Sequence, residues 1–175
     1  MNTTQTDRLL LRDFEVADVP ALAGMLGDPQ VMRYSVRGVL SERATGEFVR
    51  NCMHAYSADG FAPQAVIEVE TNRLIGFCGL NAEQVDNVME VEIGYRLAPS
   101  HWGRGLASEA ALATLRHGFE TLQLASVIAI VQPQNTASVR VLQKTGFSDY
   151  IHSQYHRLGV RVYRLTLEQW RARHC

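Results

Sequence analysis

The residues with the clearest chemical reading lie in one stretch, Met89 to Ala110, MEVEIGYRLAPSHWGRGLASEA. In it Gly103-Arg104-Gly105 stands directly ahead of a helical pattern, with Leu106, Ala110 and Ala113 near one face. The first turn of a helix carries backbone N–H groups without partners and the positive end of the helix dipole. Glycines let the backbone come close to a ligand and adopt angles that other residues resist. A turn of this kind can cradle a pyrophosphate. It also serves as a plain tight turn, and the spacing alone leaves both readings open. The dinucleotide fingerprint GxGxxG is not met, because Ser108 stands where its third glycine would be, and the GxxxxGK[ST] pattern is absent.

Two elements must hold this turn. Ahead of it, Val88–Leu97 alternates as a strand, with Val91, Ile93 and Tyr95 on one face and Glu90, Glu92 and Gly94 on the other. Pro99 and Ser100 stop it. Behind it, Ser108–Leu122 reads as a long helix. A second strand-to-helix junction follows: Ala125–Val131 is an apolar strand of the buried kind, Pro133 and Asn135 break it, and Ser138–Thr145 is a helix ended at Gly146.

The rest of the chain supplies the frame. After a loose tail, Leu9–Arg12 reads as a strand, and Asp18 is placed to cap a helix carrying Val19, Leu22, Ala23 and Leu26. Pro20 suits its first turn. Gln30–Arg37 is irregular, and Ser41 caps a helix over Glu42–Ala58. Gln64–Val69 and Leu74–Leu80 are paired strands. Two last strands, Tyr150–Arg157 and Val160–Leu167, precede a polar tail, Glu168–Cys175. The order β, α, α, β, β, β, α, β, α, β, β argues against a doubly wound sheet. It predicts a mixed α/β fold with a mostly antiparallel central sheet and helices on both faces. We expect one domain over 1–175, with a structured core over 8–167.

Composition fits that size. A chain of 175 residues, 46% hydrophobic and 20% charged, can bury a core without disulfides or metals. The net charge of −1 speaks against a nucleic-acid partner. The three cysteines, Cys52, Cys78 and Cys175, form no CxxC pair, which favours a reducing compartment. The N-terminus lacks the apolar core of a signal peptide, and the longest apolar run, Val127–Val131, is too short to span a membrane. The expectation is a cytoplasmic protein with no membrane partner.

The run WGRGLASEA resembles motif A of the GNAT superfamily of N-acetyltransferases, R/Q-x-x-G-x-G/A, with Trp102 at the first position, Gly105 at the central glycine and Ala107 at the last. Trp102 departs from R/Q but matches the branch similar to ribosomal-protein N-terminal (alanine/serine) acetyltransferases, as does the strand Glu92-Ile93-Gly94-Tyr95. Asn135 through Ser138 to Lys144, Gly146 and Phe147 resembles motif B of that branch, N-x-x-S-x-x-x-x-x-K-x-G-F. Arg8–Arg12 and Asp28–Met32 also match the family's N-terminal pattern. The resemblance implies an acyl-CoA N-acyltransferase fold whose strands Val88–Leu97 and Ala125–Val131 splay to admit the pantetheine arm of acetyl-coenzyme A. It implies that the amides of Trp102, Gly103, Arg104, Gly105, Leu106, Ala107 and Ser108 grip the pyrophosphate, with Asn135 and Ser138 also at the coenzyme.

Acetyl transfer to an amine needs a base for the amine's proton, an N–H for the oxyanion and a proton for the leaving thiolate. It needs no metal. Glu92 is the candidate base, with Glu90 on the same face as competitor. The resemblance favours Glu92, as the acid of the E-I-G-Y run. Many members carry a tyrosine at the position of Leu142, so the thiolate's acid departs from the family pattern. Ser138 is the candidate by analogy with the branch, and Tyr150, which stands where the branch has a glutamate, is a further one.

The acceptor is a primary amine, either a protein N-terminus or a small molecule such as an aminoglycoside, a polyamine or an amino acid. Tyr34, Phe61, Trp102 and Tyr150 are candidate lining residues, and Glu90, Glu92, Asp86 and Asp149 candidate attractors of the amine. Val160, Val162 and Leu165 offer an apolar face for a homodimer. Two other readings stand beside this one: a covalent acetyl-cysteine on Cys78 or Cys52, and a non-catalytic acyl-coenzyme A-binding module.

Overall fold

Eight strands form one sheet in the computed structural model, which describes residues 2–174. They are β1 (Thr3–Gln5), β2 (Leu9–Arg12), β3 (Pro63–Glu68), β4 (Arg73–Val85), β5 (Val88–Leu97), β6 (Ser126–Val131), β7 (Asp149–Tyr155) and β8 (Leu158–Thr166). Their order is β1-β2-β3-β4-β5-β6-β8-β7. All neighbours are antiparallel except β5 and β6, whose parallel ladder consists of the single pair Glu92 and Ile128. This is the mixed, mostly antiparallel α/β sheet that the element order predicts.

Helices cover both faces. On one, α1 (Val19–Leu26) and α2 (Glu42–Ala58) bury Leu22, Leu26, Val49 and Cys52 against Ala65 and Ile67. On the other, α3 (Leu106–Arg116) and α4 (Thr136–Thr145) bury Leu106, Ala110, Leu115 and Leu142 against Val66, Ile75, Ile93 and Val127. Ser41 Oγ accepts from Ala44 N at 3.1 Å and so caps α2 as expected.

Several expectations need correcting. The N-terminal tail is not loose: Thr3–Gln5 pairs with β2 as a polar edge strand. The C-terminal tail is helix α5 (Leu167–His174), whose Trp170 is buried and stacks on Phe119 at 5.3 Å. Thr166 and Gln169 start it with reciprocal bonds, Gln169 N to Thr166 Oγ1 at 3.2 Å and Thr166 N to Gln169 Oε1 at 2.9 Å. That is a capping box, and the sequence spells it. Asp18 does not cap α1. Its carboxylate takes the guanidinium of Arg12 at 2.8 Å and the N–H of Glu15. The long helix starts at Leu106 and opens into a wider turn over His117–Thr121, where Leu122 N reaches His117 O. β3 is buried on both faces because helices cover both, Ala65 and Ile67 packing under α1 and α2 and Val66 under α3 and α4, and Val69 is exposed.

Val160, Val162 and Leu165 give no dimer surface. β8 lies inside the sheet between β6 and β7, and all three residues are buried. No helix among the described residues is long and apolar enough to cross a membrane. Cys52 and Cys78 are buried free thiols, both pushed up to about 12 by burial, so neither supplies a thiolate nucleophile near neutral pH. Cys175 lies outside the described residues.

Candidate active site

The Gly103–Gly105 turn has the backbone its sequence demands. Both glycines have positive φ, +72° and +76°, which a side chain would strain. Gly105 is the N-cap of α3 and provides no side-chain cap; the first amide bonded back to it is that of Glu109, at 3.1 Å. The amides of Leu106, Ala107 and Ser108 therefore sit in the unpaired first turn of the helix. That arrangement fits a pyrophosphate.

Neighbouring side chains fix the turn. Arg8 donates from Nη1 to the Arg104 carbonyl at 2.8 Å and from Nε to Glu109 Oε2 at 2.7 Å. Arg104 is held by the buried Glu68 at 2.9 Å rather than extending freely into solvent. The Trp102 indole donates to the Leu97 carbonyl at 2.8 Å, tying the turn back to the end of β5.

From this turn β5 runs into a cavity of about 730 Å³. Alternation on β5 sends Glu92, Gly94 and Arg96 toward α1 and α2, and Ile93 and Tyr95 toward α3 and α4. The cavity nevertheless touches both sets: it is lined by Phe48, Phe77, Asn81, Glu92 and Arg96 and also by Tyr95, Ser138 and Leu142. It therefore passes through the sheet where β5 and β6 part beyond the pair Glu92 and Ile128.

Glu92 faces this cavity. Burial raises its pKa to about 7, with the charge of Glu83 adding to the effect; Asn81 and Arg96 pull the other way. Asn81 Nδ2 donates to Glu92 Oε2 across 3.4 Å, a long bond that leaves the carboxylate available. A carboxyl poised near neutrality can take a proton at physiological pH. Glu90, its neighbour on the same face, is engaged elsewhere: Arg164 grips both of its oxygens, one at 3.1 Å from Nη1.

Across the sheet, Ser138 Oγ lies 2.9 Å from the Tyr95 hydroxyl. Asn135 caps α4 by accepting from Ser138 N at 3.2 Å, so the cap is Asn135 and the Ser138 hydroxyl stays free for the tyrosine and the cavity. Burial raises the Tyr95 pKa above the ordinary range, against the lowering pull of Ser138. Sequence reasoning placed Tyr95 correctly on the apolar face but gave it only a packing role. The available signal was its position at the end of the E-I-G-Y run, beside the opening.

Tyr150 is not brought to this place. It lies on edge strand β7, opposite Tyr163 in register and hence on the α4 side of the sheet. Its ring packs at 4.9 Å on that of Tyr163 and carries the Arg161 guanidinium at 4.6 Å. Of the other candidates for the lining, Phe61 is in the cavity wall, whereas Tyr34 donates to the Gln134 carbonyl and Trp102 sits at the cradle. Asp86 accepts from Ser153 and Asp149 from Gln169. Phe48, Phe77 and Tyr155 supply the aromatic wall instead.

The family model described as an acetyltransferase (GNAT) domain matches residues 8–148. YkkB, an uncharacterized protein of Bacillus subtilis (strain 168), is 38% identical over 142 residues, 81% of this chain and 82% of that protein. An uncharacterized N-acetyltransferase, p20, of Bacillus licheniformis is 34% identical over 148 residues, 84% of this chain and 83% of that protein. A solved GNAT-family acetyltransferase from Bacillus anthracis matches with a TM-score of 0.83 at 32% identity, covering 95% of this chain and 99% of that one. The chain belongs to the GNAT acetyltransferase family and is an acetyl-coenzyme A-dependent N-acetyltransferase.

Proposed function

We propose that the enzyme acetylates a primary amine by direct transfer, the acceptor entering the cavity from the side of α1 and α2 and the coenzyme from the side of α3 and α4. The observation that carries this reading is the cavity itself, which has Glu92 and Ser138 in one wall although they belong to opposite faces of the sheet. Acetyl-coenzyme A supplies an activated acetyl group, whose C–S bond gives way to a C–N bond. The amides of the first turn of α3, with those of Gly103 to Gly105, hold its pyrophosphate; the Trp102 amide, expected from the sequence to join them, is instead given to the Pro99 carbonyl at 3.1 Å. The Glu92 carboxylate takes the proton that the ammonium must lose, directly or through water. The Ser138 hydroxyl, backed by Tyr95, gives a proton to the departing thiolate.

The acceptor amine is the nucleophile in this scheme and no side chain of the enzyme need be one, which accords with the buried, protonated state of Cys52 and Cys78. The test is an acceptor screen by mass spectrometry with acetyl-coenzyme A, covering N-terminal peptides, polyamines, aminoglycosides and amino acids. An amine-dependent release of thiol with matching acetylated product supports the reading. Acetylated enzyme that forms without acceptor and discharges to an amine contradicts direct transfer.

A further inference from the structure

Arg37, Asp59, Glu83 and Arg96 are charged side chains of the cavity with no role in the scheme above, and of these Arg96 shares the strand of Glu92. Arg96 lies on β5 two alternations beyond Glu92, on the same face, and lines the same cavity. Its one hydrogen bond among the described residues is from Nη1 to the neighbouring Tyr95 carbonyl, at 2.9 Å. No ion pair among the described residues includes it. Of the other partly buried sheet arginines, Arg12 holds Asp18 and Arg164 holds Glu90, while Arg161 has no carboxylate but lies over the Tyr150 ring. A guanidinium enclosed by protein without an anion is costly. Burial accordingly lowers its pKa, while Glu92 acts on it only through space, from beyond ion-pair distance.

The floor between the two charges is open. Gly94 is the residue between them on that face, and a Cβ built there meets nothing within 4 Å. Glu92 and Arg96 are four residues apart, roughly 13 Å along the strand, and their side chains shorten the gap. Phe77, opposite Arg96 in register, packs on Phe48 at 5.2 Å and walls the Arg96 end with aromatic rings. The result is a negative group, an empty floor and a positive group in line, a pattern that complements a short zwitterion.

We propose that Arg96 determines specificity by binding a carboxylate on the acceptor, so that the substrate is an amino acid or a short peptide whose amine points to Glu92. A planar guanidinium with free N–H groups suits a carboxylate through paired, charge-assisted bonds. A simple polyamine would leave Arg96 unpaired and bring positive charge against it. The inference rests on the acetyl-transfer reading above, and adds the acceptor's class.

The experiment uses matched ligands: L-amino acids, their α-amides, their decarboxylated amines, and glycyl dipeptides with free or amidated C-termini. Binding to the coenzyme A-saturated enzyme is measured by calorimetry, and KM with acetyl-coenzyme A. The expected result is a preference of roughly tenfold to hundredfold for the acid in a matched pair. Arg96→Met abolishes that preference by weakening the acid alone, and Arg96→Lys keeps part of it. The free amino acids and the dipeptides show which source of carboxylate fits.

Equal binding of acids and amides by the wild type, binding of no acid, or an equal loss for acid and amide in Arg96→Met overturns the inference. Coenzyme binding is measured in the same samples. Normal coenzyme binding with acetylation of amines but no acid preference removes the carboxylate site and leaves acetyl transfer standing. Absence of coenzyme binding by the wild type removes both.

Discussion

The hydroxyls of Tyr95 and Ser138 lie 2.9 Å apart, joining the C-terminal end of β5 to the first turn of α4 beside the opening in the sheet. The pair makes a hydroxyl available in the cavity although its two members come from separate motifs. We assign the proton on the thiolate's path to Ser138, whose amide is taken by Asn135 and whose hydroxyl is left to the cavity and to Tyr95, which positions it.

Ser138→Ala should then lower kcat by about 10- to 100-fold, within the usual range for a general acid or somewhat below it because a thiolate leaves readily. The KM for the acceptor should change little. Tyr95→Phe should have a smaller effect on kcat and cost about 1 kcal/mol of stability, the worth of a hydrogen bond. Steady-state kinetics and urea melts read both. A large kcat loss in Tyr95→Phe alone would reverse the two roles.

Gly105→Val should weaken coenzyme A binding strongly. Its φ of +76° is unfavourable for a β-branched residue, and the Cβ itself would find only Arg8, 3.6 Å away. The expected damage is therefore to the backbone that aims the amides rather than a clash with the core. Calorimetry showing at least a tenfold rise in Kd, with the fold retained by circular dichroism, supports the cradle. Unchanged affinity rejects it. Arg104→Ala should be milder, although its ion pair with Glu68 gives it a structural part in the turn.

Trp170→Ala tests α5. The side chain is 2% exposed and stacked on Phe119. Its loss should cost about 3–5 kcal/mol in a denaturant melt, as for other large buried aromatics. A cost below about 1 kcal/mol, the range of surface changes, would mean that the helix is not packed as described.

How much of this was legible in the sequence follows from what each signal depends on. The strand of Glu92 and the two helix starts are written locally, in alternation, glycine and a capping asparagine. The expectation of Glu92 over Glu90 rests on a motif; the structural difference between the two is nonlocal, since Arg164, far along the chain, occupies Glu90. Tyr150 is carried away from Tyr95 and Ser138 because β8 inserts between β6 and β7. No local pattern fixes that insertion. The edge strand β1 was missed because three polar residues at a sheet edge carry no periodic apolar signal. The α5 helix was a different kind of miss, since Thr166 and Gln169 announce it and Leu167 and Trp170 share a face.

Glu92 also links stability to pH. Its folded pKa, about 7, lies above the usual glutamate value near 4.3. The folded state thus holds this proton more tightly than the unfolded chain. That contribution is whole below about pH 4 and is lost as pH rises through 7. Glu92→Gln, neutral at every pH, should therefore be more stable than the wild type above pH 7, by on the order of 1–3 kcal/mol, and similar to it near pH 4. Urea melts across pH 4–9 check the sign. An advantage of the variant that grows toward acid would contradict the burial of this carboxylate.

The pH dependence of kcat/KM in the wild type, Glu92→Gln and Glu90→Gln tests the central claim most directly. With an acceptor from the screen, the wild-type rate should rise through an acid limb near pH 7, where Glu92 loses its proton. Glu92→Gln should lack that limb and lose on the order of 10²- to 10⁴-fold in rate, less at high pH where the amine arrives already neutral. Its coenzyme affinity should stay near that of the wild type. Glu90→Gln should keep the limb and most of the rate, since that carboxylate serves Arg164. A Glu92→Gln enzyme with a normal rate and an unchanged acid limb would show that Glu92 is not the base.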